Sequence, residues 1–132
     1  MVKSFRDLQV WQRSIQLSVS VYRLTKDFPR EEIYGMTNQM RRASVSVASN
    51  IAEGHGRMST GEYRQFLGMA RGSNSELQTQ LEIARALGFG NSKMIEEVEG
   101  LSFEVGKMIS GVLNAIKDRA RVSRPQSLPP NP

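Results

Sequence analysis

The sequence has no cysteine, only one histidine and no long apolar run. The missing cysteines exclude disulfides, thiolate metal sites and cysteine nucleophiles. A membrane-crossing helix needs about 20 consecutive apolar residues, and no stretch of this chain provides them. The first residues, Met-Val-Lys-Ser-Phe-Arg-Asp, lack the apolar run and cleavage site of a signal peptide. We therefore expect a cytoplasmic protein without a membrane span.

The single histidine also limits the catalytic chemistry that the chain can perform. His55 lies between two glycines in a predicted loop, where we expect a solvated side chain and not a general base. A di-iron bundle needs a Glu-x-x-His motif on each of two helices, and one histidine cannot supply both. Glu96, Glu97 and Glu99 fall on a predicted exposed face, where they favour solubility over Mg²⁺ binding. We predict no enzyme activity, no metal and no cofactor.

The chain is basic and has the length of one domain. Its 132 residues and 39% hydrophobic content suffice for a single core. The net charge is +5, and residues 1–58 hold nine Lys and Arg against five Asp and Glu. A basic surface of this kind favours contact with polyanions such as RNA or DNA. The alternative is that the charge only keeps the protein soluble.

The stretch from Gln39 to Gly54 is central to the predicted fold. Met40, Val47 and Ile51 recur at spacings of seven and four, which places them on one face of a helix. Alanine and serine fill the positions between them, so a second helix can approach closely. This pattern is typical of the middle of an assembly.

Similar spacing predicts four helices, over about residues 7–27, 31–53, 60–88 and 92–118. Short connections make consecutive helices antiparallel, so we predict an all-α, up-down-up-down four-helix bundle in residues 1–118. Residues 119–132 hold four of the five prolines and three arginines, and we expect a flexible tail there.

Two helices carry more rows of similar residues than one core requires. The first has an apolar row through Leu17 and Val21 and a second through Trp11, Val19 and Tyr22, so we expect it to face both the core and a partner subunit. The third has a row of glycines at positions 61, 68 and 72, which predicts a close helix contact.

The basic residues are the candidate nucleic-acid contacts. They are Lys3, Arg6, Arg13, Arg41, Arg42, Arg57, Arg64, Arg71, Arg119, Arg121 and Arg124. For Arg42 we favour a structural pair with Glu53, Glu62 or Glu76, inside one bundle or between bundles. Asn50 and Glu53 are expected to satisfy helix ends and to lie in the core or in a subunit interface. Trp11 and Tyr22 are expected in the core or in a subunit interface, or else as exposed rings that stack on a base.

Several short motifs resemble a known protein family. They are Phe5-x-x-Leu8-x-Val10-Trp11, Phe28-Pro29-x-Glu31-x-x-Tyr34-Gly35, Gln39-x-Arg41-Arg42-Ala43, Ser49-Asn50-Ile51-Ala52-Glu53-Gly54, Glu62-Tyr63-x-x-Phe66-Leu67, Ala70-Arg71-Gly72-Ser73 and Glu76-Leu77-x-Thr79-Gln80-Leu81. Together they resemble bacterial four-helix-bundle proteins encoded in intervening sequences of large-subunit ribosomal RNA genes. The resemblance covers residues 5–88.

The resemblance implies a bundle that assembles into a ring, commonly a homopentamer. It also implies kinship with the accessory protein of diversity-generating retroelements, which is similar in fold, is basic, and binds nucleic acid and its reverse transcriptase. We therefore expect a non-enzymatic, oligomeric nucleic-acid-binding protein that serves as an adaptor for an RNA-processing or reverse-transcribing partner. The alternative is a protein–protein interaction scaffold with no nucleic-acid role.

Overall fold

The computed structural model describes residues 2–122, without the side chains of residues 119–122. Its long helices are α1 (Gln9–Thr25), α2 (Met36–His55), α3 (Thr60–Leu87) and α4 (Ser92–Val122). Each packs beside its neighbours in the chain, and α4 closes the bundle against α1. Among the described residues, the backbones of the diagonal helix pairs do not approach each other closely. The all-α four-helix bundle predicted from the apolar spacing is confirmed.

The chain reaches α1 and α2 through short 3-10 turns that the apolar pattern did not predict. Ser4 caps a turn at Phe5–Asp7, and α1 begins two residues later than predicted. A second turn, Arg30–Glu32, precedes α2, which begins at Met36 and not at residue 31. The Glu32 carboxylate accepts a hydrogen bond from the Met36 amide at 3.2 Å. This acid therefore caps α2 from outside the helix instead of lying in its first turn.

The last two helices begin with side-chain caps. Ser59 accepts a hydrogen bond from the Glu62 amide, and Asn91 accepts hydrogen bonds from the amides of Lys93 and Met94. Helix α3 ends at Gly88, whose φ of 73° lies in the left-handed region that glycine tolerates best.

Helix α4 continues to Val122, four residues beyond the predicted boundary at residue 118. Arginine and alanine favour helix formation, so the helix extends after its last buried residue, Ile116. The backbone of residues 119–122 is therefore helical. The remainder of the predicted flexible tail, residues 123–132, lies outside the described residues.

One apolar row from each helix forms the core. The fully buried members include Leu17, Leu24, Met40, Val47, Ile51, Leu67, Leu77, Leu81, Val105 and Ile109. A polar contact crosses the core between α3 and α4, where Asn74 and Ser102 exchange two hydrogen bonds of 2.9 and 2.7 Å. The Asn74 amide donates to the Ser102 carbonyl, and the Ser102 hydroxyl donates to the Asn74 side-chain oxygen. Each buried polar group of this pair is thereby satisfied.

The glycine row of α3 does not make the close helix contact that its spacing predicts. A Cβ atom at Gly68 or Gly72 would meet nothing within 4 Å. The tight approach lies instead at Gly54 in α2, where a Cβ atom would lie 2.7 Å from the Cβ atom of Phe66. Gly61 and Gly68 instead line an open groove between α3 and α4.

Candidate nucleic-acid interface

Three arginines in the described part of the chain form ion pairs. Arg13 pairs with Glu104 at 3.0 Å and Arg57 pairs with Glu53 at 2.8 Å. Arg85 bonds to Glu82 and, at 3.1 Å, to Glu99. The hydrogen bonds to Glu82 and Glu99 raise the pKa of Arg85 above its ordinary value. Of the predicted nucleic-acid contacts, Arg13 and Arg57 therefore already have carboxylate partners.

The other described cations have no carboxylate partner within the described residues. They are Lys3, Arg6, Arg23, Lys26, Arg30, Arg41, Arg42, Arg64, Arg71, Lys93, Lys107 and Lys117. A cation without a carboxylate partner can contact an external anion without first breaking an ion pair. The unpaired set is therefore the part of the basic charge that is most directly available to nucleic acid.

The two adjacent arginines of α2 have different surroundings. The Arg41 Nε donates a 2.9 Å hydrogen bond to the Thr25 hydroxyl, and its guanidinium carbon lies 4.6 Å from the centre of the Tyr22 ring. Arg42 is exposed and makes no ion pair or hydrogen bond among the described residues. Within the described chain Arg42 forms no pair with Glu53, Glu62 or Glu76, and a pair with a glutamate of another bundle stays a prediction.

Tyr22 lies on the outside of the bundle, at a shallow cavity between α1 and α2. Its side chain is 44% exposed and is stacked with the Arg41 guanidinium. The cavity is lined by Ser18, Val19, Tyr22, Arg23, Lys26 and Arg41, which we call the Tyr22 surface. It combines an exposed aromatic ring with three cations that have no carboxylate partner among the described residues.

A second cavity continues from the Tyr22 surface toward the α1–α2 connection. It shares Lys26 and Arg41 with that surface and adds Arg30 to its lining. Asp27 and Glu31 are exposed in the same connection and reduce the net charge. Across both cavities, the cations extend from Arg23 to Arg30 along one side of the bundle.

The remaining predicted contacts lie elsewhere. Lys3 and Arg6 flank the capped turn before α1, where the Arg6 guanidinium lies over the Phe5 ring. Arg64 and Arg71 are exposed on α3 and line a groove with Lys117 of α4. Arg119 and Arg121 belong to the last turns of α4, where only the backbone is described, and Arg124 lies outside the described residues. The predicted contacts therefore do not form one surface.

The residues predicted for the core or a subunit interface have different environments. Trp11 is half-buried, packs against the core and meets Phe5 edge-on at 5.2 Å. Asn50 lies within α2, five residues before its last residue, and its amide donates to the carbonyl and hydroxyl of Ser46. Glu53 is exposed and bonds to Arg57, whose guanidinium also stacks on a phenylalanine ring. Trp11 therefore packs against the core as predicted, and a place in a subunit interface stays a prediction for Tyr22, Asn50 and Glu53.

His55 is the last residue of α2 and is half-buried, not a solvated loop residue as its glycine neighbours suggest. It meets the Tyr63 ring edge-on at 5.9 Å, and both line a cavity of about 490 Å³ at one end of the bundle. Within residues 2–122, no three His, Asp or Glu side chains gather into a metal site. No helix in that range has the length and apolar character that a membrane crossing requires.

Sequence reasoning missed Arg23, Lys26, Arg30 and Lys117 as candidate contacts. The first three lie shortly after Tyr22 in the sequence, at the end of the exposed row of α1. Their spacing from Tyr22 could therefore have identified them as candidate contacts. Lys117 lies 46 positions after Arg71 and meets the same groove only because α3 and α4 pack side by side. No local pattern contains that information.

The sequence model of one protein family matches this chain over residues 6–111. The family is described as 23S rRNA-intervening sequence protein, and the match spans well over half of the chain. The chain therefore belongs to the 23S rRNA-intervening sequence protein family, as its motifs predicted. Kinship with the retroelement accessory protein stays a prediction.

One solved structure with a similar fold is the crystal structure of a protein with unknown function from the S23 ribosomal protein family of Bacteroides thetaiotaomicron. The two chains are 22% identical, and the match covers 80% of this chain and 95% of the other with a TM-score of 0.73. At this identity the likeness shows the fold alone. None of the curated proteins matches this chain.

Proposed function

We propose that this member of the 23S rRNA-intervening sequence protein family is a non-enzymatic bundle that binds nucleic acid through its basic surface. The Tyr22 surface is the observation that carries the proposal. An exposed aromatic ring offers a face on which any base can stack, and neighbouring cations follow the phosphate backbone. This combination is typical of proteins that bind single strands without strong sequence preference.

The position of Arg41 supports this role. Its hydrogen bond to Thr25 and its stacking on Tyr22 hold the guanidinium in one place before any ligand arrives. Thr25 is itself fixed, because its hydroxyl donates to the Val21 carbonyl at 2.8 Å. A cation that is already positioned loses less conformational entropy on binding. Arg23 and Lys26 add exposed charge on the same surface.

We further propose that the bundle assembles into a ring, which the resemblance implies to be a homopentamer. An exposed apolar side chain of α1 outside the Tyr22 surface supports self-association. Ile15 is 38% exposed and does not line that surface. A ring would repeat the basic surface around its axis and strengthen the field that attracts a polyanion. Such a ring would suit an adaptor for an RNA-processing or reverse-transcribing partner.

The alternative is a protein–protein interaction scaffold, which the other exposed apolar side chains favour. Phe103 on α4 and Leu87 on α3 are 57% and 58% exposed. A partner protein that buried them would gain apolar area. Capture of a partner that survives nuclease treatment, together with absent nucleic-acid binding, would favour this alternative.

The proposal is tested by fluorescence anisotropy with a labelled single-stranded RNA over a range of salt concentrations. Replacing Tyr22 with leucine removes the ring but keeps an apolar side chain. We expect the affinity to fall by about 5- to 150-fold, which corresponds to about 1–3 kcal/mol for one stacked base. Tyr34→Leu is the matched control, because Tyr34 is 90% exposed and does not line the Tyr22 surface. Equal affinity of both variants and the wild type would contradict stacking on Tyr22.

Neutralising two cations tests the phosphate contacts separately. The change Arg23→Gln/Lys26→Gln should reduce the salt slope of single-strand binding by about 1.4, at about 0.7 per lost contact. Lys93→Gln/Lys107→Gln removes the same charge from α4 and should leave the slope nearer the wild-type value. If the wild-type protein bound neither RNA nor DNA at low salt, the proposed function would be wrong.

A further inference from the structure

A groove between α3 and α4 carries a second concentration of positive charge. Arg64, Arg71 and Lys117 line it, and it has a volume of about 470 Å³. Gln65 and Asn114 add amide groups, and Leu113 is the only large apolar side chain in the lining. Neither neighbouring acid, Glu62 or Asp118, lines the groove. Its three cations have no carboxylate partner among the described residues.

Two glycines of α3 leave free space in the groove. Gly61 and Gly68 lie along it on α3, and a Cβ atom at Gly68 would meet nothing within 4 Å. Larger side chains at these positions would fill the space between the arginines. The glycines therefore leave room for a ligand that approaches the α3 backbone closely.

The spacing of the cations allows contact with more than one phosphate. Arg64 and Arg71 are seven residues apart on α3, which separates their backbone positions by about 10.5 Å along the helix axis. Successive phosphates of one DNA strand advance only about 3.4 Å along a duplex axis, so two arginines at this separation can contact different phosphates. Lys117 lies on the opposite wall, on α4, and provides a third charge.

The groove differs from the Tyr22 surface in its lack of a ring. None of the described residues that line it is aromatic, so they offer no face on which a base can stack. Cations and amides without an aromatic ring contact phosphate and sugar and carry little sequence information. The helix pairs α1–α2 and α3–α4 form opposite sides of the bundle, because each helix packs beside the helices before and after it and α4 packs beside α1. The two surfaces are therefore separate.

We propose that the α3–α4 groove is a second nucleic-acid site, which binds the sugar–phosphate backbone of a double-stranded segment. This inference rests on the proposed function and extends it. The Tyr22 surface takes an unpaired strand, and the groove on the opposite side takes a duplex. The protein thereby holds a stem and a single strand of nucleic acid at the same time.

The test compares two variants of the full-length protein that lose the same charge. The groove variant is Arg64→Gln/Arg71→Gln/Lys117→Gln, and the matched variant is Arg23→Gln/Lys26→Gln/Arg30→Gln on the other side. Each is titrated into a labelled blunt RNA duplex and a labelled single-stranded RNA across salt concentrations. All six side chains are exposed, and circular dichroism with thermal unfolding checks that both variants fold as the wild type does.

We expect the groove variant to bind the duplex on the order of tenfold more weakly, with a salt slope smaller by about 2.7, at about 0.9 per lost contact. Its single-strand affinity should change little, and the matched variant should show the reverse pattern. A loss of net charge alone would weaken both variants equally on both ligands, and that result would overturn the proposal.

Two further outcomes separate this inference from the function on which it rests. If the groove variant bound both RNAs with the same affinity as the wild type, the groove site would be overturned and the proposed function would stand. An absence of wild-type binding to either RNA would overturn both.

A polyglutamate peptide tests whether the groove binds an acidic protein instead. If the peptide bound the wild type but not the groove variant, with duplex affinity unchanged, the groove would be assigned to an acidic protein and the proposal would be overturned.

Discussion

Replacing Gly54 with alanine tests the tight approach of α2 to α3. The added Cβ atom would lie 2.7 Å from the Phe66 Cβ atom and 3.1 Å from the Tyr63 Cδ1 atom. Carbon atoms pack best at about 3.5–4.0 Å, and the Phe66 Cβ atom cannot rotate away because it is bonded to the backbone. The two helices must therefore separate locally to accept one methyl group.

The magnitude follows from two opposing terms. Overpacking of this kind costs about 1–3 kcal/mol. Alanine gains up to about 1 kcal/mol over glycine in a helix interior, and less at Gly54, which is the second-last residue of α2. We expect the free energy of unfolding to fall by about 1–2 kcal/mol. For a chain of this length, that lowers Tm by about 4–8 °C.

Gly72→Ala is the matched control within the same bundle. A Cβ atom there meets nothing within 4 Å, so only the helix-propensity gain remains and the variant should be more stable by up to about 1 kcal/mol. Both variants are unfolded with urea at one fixed protein concentration and followed by far-UV circular dichroism. If the free energy of unfolding of Gly54→Ala were equal to or above that of Gly72→Ala, the close α2–α3 contact would be refuted.

Three other predictions concern the buried polar pair, an exposed ion pair and the outer face of α1. Ser102→Ala leaves the side-chain oxygen of Asn74 without its donor and should lower the free energy of unfolding in urea by about 1–3 kcal/mol; a loss below about 0.5 kcal/mol would contradict the bonded pair. Glu53→Gln should change the free energy of unfolding by under about 1 kcal/mol, because the pair with Arg57 is exposed. A larger loss in the same assay would show that this pair is structural. Ile15→Glu should shift the sedimenting mass toward the monomer, and the control Leu87→Glu should not. Unchanged mass for Ile15→Glu would remove α1 from the subunit interface.

The two apolar rows of α1 show where sequence reasoning succeeded and where it stopped. The period of 3.6 residues separates Leu17 and Val21 from Val19 and Tyr22 correctly. The first pair is fully buried, and the second pair is more than 40% exposed. The pattern alone could not say which row faces the core, because both rows are apolar.

The sequence predicted the environments of the basic residues less well than those of the apolar rows. A charge has no periodic constraint, since any exposed position accommodates it. The sequence therefore supplied Arg41 and Arg42 as a pair but not their different environments. Arg41 is held by Thr25 and Tyr22 from a different helix, and Arg42 is not. Only the packing of α2 on α1 makes that distinction.

The sequence by itself determined the number of helices, their approximate bounds and the family, because apolar spacing and end signals are local properties. Tertiary structure decided which glycine is crowded and which lies in an open groove. It also placed Lys117 beside Arg71, although many positions separate them in the chain. Such pairings depend on the rotation and offset of one helix against another, and those follow from the sum of all core contacts. The candidate nucleic-acid surfaces lie between helices and therefore become visible only in the folded bundle.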